Sequence, residues 1–227
     1  MKTLIKKCRS NIALVIGNGI NRYVDSTKTN SWHDLLVKLA ARHLPSKLKS
    51  VPSGIALTEF YDVLALKSAK TVSSNYLQQE FCDLMSTWRY YEHHKYIVKW
   101  AQKTDVPILT TNFDQILSNA GSCKLYRTRK GGFTDYYPWE NYYGNKEITD
   151  PSHGFGIWHV NGMLRYSRSI RLGLTHYMGA VERARGLLHK GNERSLFSGK
   201  HMRDWTGSTS WLHILFNSSL LILSYCQ

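Results

Sequence analysis

Ile108-Leu-Thr-Thr-Asn-Phe-Asp-Gln-Ile-Leu117 is an apolar run that breaks into small and polar residues, and Leu14-Val-Ile-Gly-Asn-Gly-Ile-Asn-Arg22 follows the same pattern. A buried parallel strand that delivers a loop to a ligand crevice has this composition. In the N-terminal stretch, we expect Gly17 and Gly19 to let the backbone approach a phosphate closely. In the other stretch, hydrogen-bonding groups follow the strand at Thr110, Thr111, Asn112 and Asp114. The pair predicts a nucleotide-binding α/β domain whose second loop carries polar chemistry.

The chain has 227 residues, of which 42% are hydrophobic. This is enough for one domain with a sizeable core, and it excludes a disordered chain. No apolar run reaches the roughly 18 residues of a membrane span. The apolar part of Met1–Cys8 is too short for a signal peptide. We therefore expect a cytoplasmic protein that does not associate with a membrane.

The cysteines are scattered along the chain, at Cys8, Cys82, Cys123 and Cys226. They form no C-x-x-C pair and have no histidine at metal-ligand spacing, which excludes a zinc ribbon. The pattern predicts reduced thiols in a cytosolic domain and no bound metal.

The formal net charge is +14, and part of the excess lies between Arg165 and Arg203. The basic residues there are Arg165, Arg168, Arg171, Arg183, Arg185, Lys190, Arg194, Lys200 and Arg203. Three interpretations stay open: a solvated basic face, a patch for nucleic acid or an acidic partner, and contacts to a phosphate-bearing ligand. No recognised nucleic-acid motif accompanies the charge.

The first half of the chain contains one strand and several helical patterns. A strand at Ile12–Ile16 and a polar loop at Gly17–Asn30 precede a helix at Trp32–His43, for which Ser31 is the expected N-cap. After a connector at Pro45–Pro52, helical patterns follow at Ile55–Lys67, Ser74–Trp88 and Tyr90–Lys103. A single crossover needs less chain than this. We therefore expect a helical small subdomain, inserted at about 45–103 and packed on the sheet.

The second half alternates between strands and helices. We predict strands at Val106–Asn112, Lys124–Tyr126, Phe155–Val160, Ser169–Leu174 and Ser219–Tyr225, and helices at Asp114–Leu117, Tyr177–His189 and Trp211–Phe216. A long ordered loop occupies Thr128–Ser152. A strand such as the last one normally feeds another loop and helix. The expectation is therefore a single domain over 1–227, truncated at its C-terminus.

Three short motifs can carry chemistry, and each also has a structural explanation. Gly17-Asn-Gly-Ile-Asn-Arg22 has Arg22 in place of the third glycine of the dinucleotide fingerprint, so it is either a phosphate-holding loop or a tight turn. In Thr110-Thr-Asn-Phe-Asp114, Asn112 suits a ribose hydroxyl or an ordered water and Asp114 can fix the loop; a capped Asx-turn is the alternative.

The third motif is Trp158-His-Val-Asn-Gly162. Side chains alternate along a strand, so His159 and Asn161 are expected on the same face. His159 could then act as a general base and Asn161 could position a hydroxyl. Both His159 and His176 could instead be structural histidines. The aromatic run Tyr136–Tyr143 could stack on a base or pack against its own protein.

The order of these motifs resembles the sirtuin (SIR2) superfamily, especially the divergent SIR2-like domains of bacterial anti-phage defence proteins. Ser31-Trp-His-Asp-Leu-Leu36 and Leu172-Gly-Leu-Thr-His-Tyr177 complete the pattern, and the resemblance spans about Asn11 to Tyr225. It implies a Rossmann-like parallel sheet flanked by helices, with a helical small subdomain and NAD bound at the carboxyl edge. The implied cofactor contacts are Gly17, Asn18, Gly19, Asn21, Arg22, Thr110, Thr111 and Asp114.

By the same resemblance, Asn112 falls on the family's ribose-contacting catalytic asparagine. Two departures matter. The missing zinc ribbon points away from protein deacylation and toward the defence-type NAD glycohydrolases. The family's catalytic histidine usually stands immediately before a glycine, and here that place holds Asn161, with His159 two residues earlier. Either His159 serves as the base, or the site is impaired.

The favoured hypothesis is an enzyme that hydrolyses NAD, its substrate, to nicotinamide and ADP-ribose during abortive infection, with Asn112, His159 and Asn161 as catalytic candidates. The resemblance implies a homo-oligomer or a defence-system partner protein. Two alternatives stay open. One is a catalytically impaired NAD- or ADP-ribose-binding regulatory module, and the other is a nucleic-acid-associated module.

Overall fold

The computed structural model describes residues 11–23, 30–45, 48–68, 73–129, 131–189 and 205–223. These residues form an α/β architecture in which helices flank a six-stranded sheet. The strands are β1 (Ile12–Ile16), β2 (Ile108–Thr110), β3 (Lys124–Arg127), β4 (Asn141–Gly144), β5 (Ile157–His159) and β6 (Ser219–Leu223). The predicted α/β class is confirmed.

The helices follow the predicted order closely. They are α1 (Trp32–His43), α2 (Leu57–Ser68), α3 (Ser74–Met85), α4 (Glu92–Thr104), α5 (Ile116–Ala120), α6 (Leu174–Leu188) and α7 (Trp211–Asn217). Short 3-10 turns occur at Asn18–Arg22 and Ser167–Ser169. As expected, Ser31 caps α1, because its side chain accepts a hydrogen bond from the backbone N–H of Asp34 at 3.1 Å.

The strand order is β3-β4-β5-β2-β1-β6. The four strands β5, β2, β1 and β6 are parallel, whereas β4 is antiparallel to both β5 and β3. The prediction of a wholly parallel sheet is therefore wrong at one side. Parallel neighbours need a crossover connection of a dozen or more residues, usually a helix. The described connections on either side of β4 contain no helix, so the chain turns back on itself there.

Neighbouring parallel strands end together at one edge of the sheet. Ile16 pairs with Thr110, and Thr110 pairs with His159, so β1, β2 and β5 stop at the same level. The next strand of the chain, β2, lies on one side of β1, and the last described strand, β6, lies on its other side. In open α/β sheets, ligands bind outside the carboxyl ends of the strands at the point where the strand order reverses.

The two faces of the sheet carry separate cores. Alternate residues of β1, including Leu14, pack with Val98 and Ala101 of α4. On the other face, Ala13 belongs to a core with Trp158 and several side chains of α6 and α7. A third core joins α1, α2 and α3, and it includes Phe113 from the loop after β2. This contact anchors the helical segment beside the carboxyl edge of the sheet.

Two predicted segments differ from the structure. The residues 128–152, predicted as a loop, contain β4. The residues Ser169–Leu174, predicted as a strand, contain no strand. There, Ile170 and Leu172 are buried in the core of α1–α3. These apolar side chains therefore pack against helices and do not belong to a strand of the sheet.

Some sequence expectations concern residues outside the described part of the chain. These are Cys8 and Cys226, and Lys190 to Arg203 of the basic stretch. Cys82 and Cys123 are free thiols. Within the described residues, no helix combines the length and apolarity needed to cross a membrane. The same residues contain no group of three or more histidine, cysteine or acidic side chains that could hold a metal ion.

Candidate functional site

A cleft of about 420 Å³ opens at the carboxyl edge of β1 and β2. It is lined by Asn18, Arg22, Ser31, Trp32, His33, Leu57, Thr111, Asn112, Asn161 and Tyr177. The lining combines the loops after β1, β2 and β5 with the N-termini of α1 and α2 and the first turn of α6. The volume falls within the roughly 300–1,000 Å³ of small-molecule sites. The cleft therefore lies where the strand ends predicted a ligand.

Asn112 is the most informative residue of the cleft. It is only 2% exposed, and neither its Oδ1 nor its Nδ2 has a hydrogen-bond partner among the described residues. Its backbone is held on both sides: its N–H donates to Thr110 Oγ1 at 3.1 Å, and its carbonyl oxygen accepts from His159 Nδ1 at 2.8 Å. An unpaired buried polar group costs about 1–3 kcal/mol. A ligand that pairs with this amide would remove that cost.

The two threonines before Asn112 have different roles. Thr110 is buried, and its Oγ1 donates to the carbonyl oxygen of Ile16 at 3.0 Å, which ties β2 to β1. Thr111 lines the cleft, and its carbonyl oxygen accepts a hydrogen bond from Asn161 Nδ2 at 3.3 Å. Of the two predicted cofactor contacts, the geometry places Thr111 at the cleft and makes Thr110 structural.

The glycine loop after β1 folds as a 3-10 turn. Gly17 has an extended backbone with φ of −103°, and a Cβ added there would lie 3.6 Å from Thr111 Oγ1, an ordinary contact distance. Gly19 lies within the turn. The backbone of Gly17 therefore does not require glycine, and the predicted phosphate approach remains an expectation about a bound ligand.

Asn21 is part of the scaffold of the site. It is buried, and its Nδ2 donates to Asn18 Oδ1 and to Asp114 Oδ2, each at 2.9 Å. Its Oδ1 lies 3.2 Å from His94 Nε2. Asn18 itself lines the cleft. Thus Asn21 joins the loop after β1 to the loop after β2 and to α4.

Asp114 supports its loop as the sequence predicted. Its Oδ1 accepts the backbone N–H of Ile116 at 3.0 Å, and its Oδ2 accepts from Asn21. Burial raises the pKa of this carboxyl group, while the bonds from Ile116 and Asn21 oppose the rise. Asp114 is not among the described residues that line the cleft.

Sequence reasoning missed His94. Its Nδ1 accepts the backbone N–H of Tyr91 at 3.0 Å, so Nε2 carries the proton that is donated to Asn21 Oδ1. Burial lowers its pKa to about 4, which keeps the ring neutral near pH 7. The available signal was its place as the third residue of α4, where a side chain can reach back to the N-cap backbone.

His159 lies behind the cleft. It is 4% exposed, burial lowers its pKa to about 4, and its ring contacts Tyr143 edge-on at 5.8 Å. Its Nδ1 is committed to the carbonyl oxygen of Asn112, and Nε2 has no partner among the described residues. The described lining of the cleft does not include His159. The imidazole is therefore neutral and holds the loop of Asn112.

Asn161 occupies the place in the cleft that was considered for His159. His159 Nδ1 and Asn161 Nδ2 donate to adjacent carbonyl oxygens of the loop after β2, those of Asn112 and Thr111. The expected common face of the two side chains stays a prediction. Asn161 lines the cleft, and its carbonyl oxygen accepts the backbone N–H of Arg171 at 2.9 Å.

The cleft also contains groups that favour an anion. Arg22 lines the cleft and forms no ion pair within the described residues. The N-terminus of α1, a helix of 12 residues, begins beside it at Trp32. Helix N-termini carry a partial positive charge that favours anions. Arg22 and α1 therefore give the cleft one anion-favouring side.

Outside the cleft, most of the aromatic and basic candidates have internal partners. Trp139 and Tyr142 of the aromatic run are buried in the core. In the basic stretch, Arg168 pairs with Asp135 at 3.2 Å, and Arg171 is buried against the ring of Tyr137 at 4.7 Å. His176 Nδ1 accepts the backbone N–H groups at the start of α6, a structural role.

Comparison with known proteins identifies no relative: no protein-family model, no curated protein and no solved structure matches the chain.

Proposed function

We propose that the cleft binds NAD and that the protein hydrolyses the bond between nicotinamide and ribose. The observation that carries the proposal is the buried amide of Asn112, unpaired among the described residues, in a cleft at the ends of β1 and β2. The SIR2 resemblance supplies the identity of the ligand. In this proposal the domain is a Rossmann-like SIR2-type domain with a helical small subdomain. The insertion was expected at about 45–103, and of its helices α2 and α3 share a core with α1, whereas α4 packs against β1.

The positions of the lining residues suggest how the dinucleotide lies. The pyrophosphate would lie on the side of Arg22 and the N-terminus of α1, because these groups favour anions. The nicotinamide ribose would lie at Asn112, whose amide offers two N–H donors and a carbonyl acceptor to its hydroxyl groups. Asn161, also at the cleft, would position a hydroxyl group or the attacking water.

Cleavage of the bond between nicotinamide and ribose needs few groups of the protein. When the glycosidic bond breaks, its electron pair goes to the pyridinium nitrogen, so nicotinamide leaves neutral and C1′ of the ribose becomes an oxocarbenium-like centre. Water then attacks C1′ and loses a proton to give ADP-ribose. The Oδ1 of Asn112 would stabilise the positive charge as it develops. The proton of the attacking water passes to solvent in the wild-type protein, and a side-chain base beside that water would speed the step.

In this mechanism His159 is a positioning residue. Its pKa of about 4 makes it a weak base, and it lies outside the described lining of the cleft. It would act through the carbonyl oxygen of Asn112. This proposal replaces the general-base role considered from sequence. Depletion of NAD in bacterial anti-phage defence, with a homo-oligomer or partner protein, rests on the resemblance alone.

One observation favours a second candidate, an NAD- or ADP-ribose-binding module without turnover. The residue at the place of the family's catalytic histidine is Asn161, whose amide cannot exchange a proton near neutral pH.

Calorimetric titration of the full chain with NAD tests the proposal, beside Asn112→Ala and the exposed control Asn119→Ala. We expect Asn112→Ala to weaken binding about tenfold or more and the control to keep the wild-type affinity. Absence of binding of both NAD and ADP-ribose to the wild-type protein would overturn both candidates. Binding without release of nicotinamide would favour the binding module.

A further inference from the structure

A second cavity, of about 500 Å³, lies at the same edge of the sheet beyond β5. Its described lining comprises Leu125, Tyr126, Arg127, Arg129, Phe133, Asn141, Glu147 and Tyr166. None of these residues lines the cleft at Asn112. Arg127 ends β3 and pairs with Asn141, which begins β4. This is the edge at which β5 ends, because β4 is antiparallel to β5.

Two lining residues carry buried polar atoms that have no partner among the described residues. Asn141 is 5% exposed; its Nδ2 donates to the hydroxyl group of Tyr166 at 3.2 Å, and its Oδ1 is unpaired. Arg127 donates through Nη2 to Glu140 at 2.9 Å, while its Nε is unpaired. Because these residues pair across β3 and β4, the unpaired acceptor and the unpaired donor belong to neighbouring residues of the lining.

Aromatic rings form another part of the same cavity. Phe133 is 48% exposed, and its ring centroid lies 5.2 Å from that of Tyr166 and 5.1 Å from the guanidinium carbon of Arg127. Exposed aromatic faces beside an arginine are surfaces on which a flat heterocycle stacks. The cavity thus combines stacking rings with hydrogen-bonding groups that can read one edge of such a heterocycle.

The charges around the cavity balance. Among the described residues, Arg127 and Arg129 both lie within 4 Å of Glu140, at 2.9 and 3.7 Å, and Glu147 contributes a negative charge to the lining. Two positive and two negative side chains give no strong preference for a phosphate. The selectivity of the cavity therefore comes from rings and hydrogen bonds, which favours a neutral ligand.

We propose that this cavity binds the base of a purine nucleoside. The base stacks on the exposed ring of Phe133 beside Tyr166, an N–H of the base donates to Asn141 Oδ1, and the neighbouring ring nitrogen or carbonyl oxygen accepts from Arg127 Nε. Adenine and guanine both carry a donor beside an acceptor on one edge. The proposal is independent of NAD hydrolysis, because it involves no residue of the cleft at Asn112.

The test is titration of the full chain with adenosine, beside Phe133→Ala, Asn141→Ala and the exposed-aromatic control Tyr96→Ala. We expect saturable binding that changes little with salt concentration, a loss of about tenfold or more in both cavity variants, and no change in the control. Amide hydrogen exchange should show protection by adenosine across residues 125–133. Thermal melting identifies any unfolded variant, and Phe133→Ala, at an exposed site, keeps its fold.

Three outcomes would overturn the proposal. One is no saturable binding of adenosine, and another is an unchanged affinity in Phe133→Ala. The third is equal binding of ribose 5-phosphate, which lacks the base. Titration of Phe133→Ala with nicotinamide mononucleotide, which lacks the adenine of NAD, separates the two sites, since its affinity for this ligand should equal that of the wild-type protein.

Discussion

His159 donates its Nδ1–H to the backbone carbonyl oxygen of Asn112 at 2.8 Å, across the ends of two adjacent strands. The bond fixes the tautomer of the imidazole, so Nε2 carries no proton in the neutral ring. It also fixes the loop that places the Asn112 amide at the cleft. His159, which was considered as a general base from the sequence, thus supports the backbone of Asn112.

The first prediction concerns pH. Burial lowers the pKa of both His94 and His159 from 6.5 to about 4. At a pH between about 4 and 6.5, these histidines bind a proton in the unfolded chain and not in the folded protein. The free energy of unfolding therefore falls as the pH drops from about 6.5 toward about 4. Each histidine contributes a slope of up to about 1.4 kcal/mol per pH unit.

Urea unfolding across that pH range measures the effect. In His159→Gln, the amide can still donate to Asn112 and does not titrate, so the variant should show the shallower slope. Identical slopes for the wild-type protein and His159→Gln would contradict the depressed pKa.

The second prediction concerns the network around Asn21. Asn21→Ala leaves Asp114 Oδ2, His94 and Asn18 without the partner they have in the structure. We expect a loss of about 3 kcal/mol in the free energy of unfolding, because a buried carboxylate oxygen loses its donor. Urea denaturation measures the loss, and Asn119→Ala serves as the exposed control. A loss below about 1 kcal/mol would contradict a structural role for the hydrogen bonds of Asn21.

The third prediction concerns the turn that carries Asn161. Gly162 has φ of +111°, and a Cβ there would lie 2.2 Å from the carbonyl oxygen of Ser169. Gly162→Ala should therefore lower stability by more than about 2 kcal/mol. The matched control is Gly186→Ala in α6, where a Cβ meets open space and alanine should stabilise the helix by up to about 1 kcal/mol. Equal melting temperatures for the two variants would contradict this account.

Much of the fold was predictable because its signals are local. The apolar runs before Gly17 and before Asn112 identified β1 and β2, and the stripe from Trp32 onward identified α1. The antiparallel β4 was missed because Asn141–Gly144 has two tyrosines between polar and small residues, a composition that also suits a loop. Its pairing with β5 depends on contacts distant in sequence.

The site was predictable at Asn112 and Asp114, where polar residues directly follow a strand. The placement of Asn161 in the cleft and of His159 outside its described lining was not, because it depends on contacts with the loop after β2, which is distant in sequence. The second cavity was also missed. Arg127, Phe133 and Asn141 are separated by loop residues, and only the pairing of β3 with β4 brings them together.

The fourth prediction restores a titratable group to the cleft. Asn161→His places an imidazole among the lining residues, where it can take the proton of the attacking water. We expect nicotinamide release to rise about a hundredfold over the wild-type protein. The control is Asn161→Gln, which keeps an amide and should give no such rise. If Asn161→His is no faster than the wild-type protein, a missing base does not limit the reaction.

The most direct test is the rate of nicotinamide release from NAD by the full chain, compared with Asn112→Ala and with Asn119→Ala at equal folded concentration. The account predicts release by the wild-type protein and by the control, and a loss of about a hundredfold or more in Asn112→Ala. Undiminished release by Asn112→Ala would contradict the central claim, because the amide in the cleft would then have no part in the cleavage.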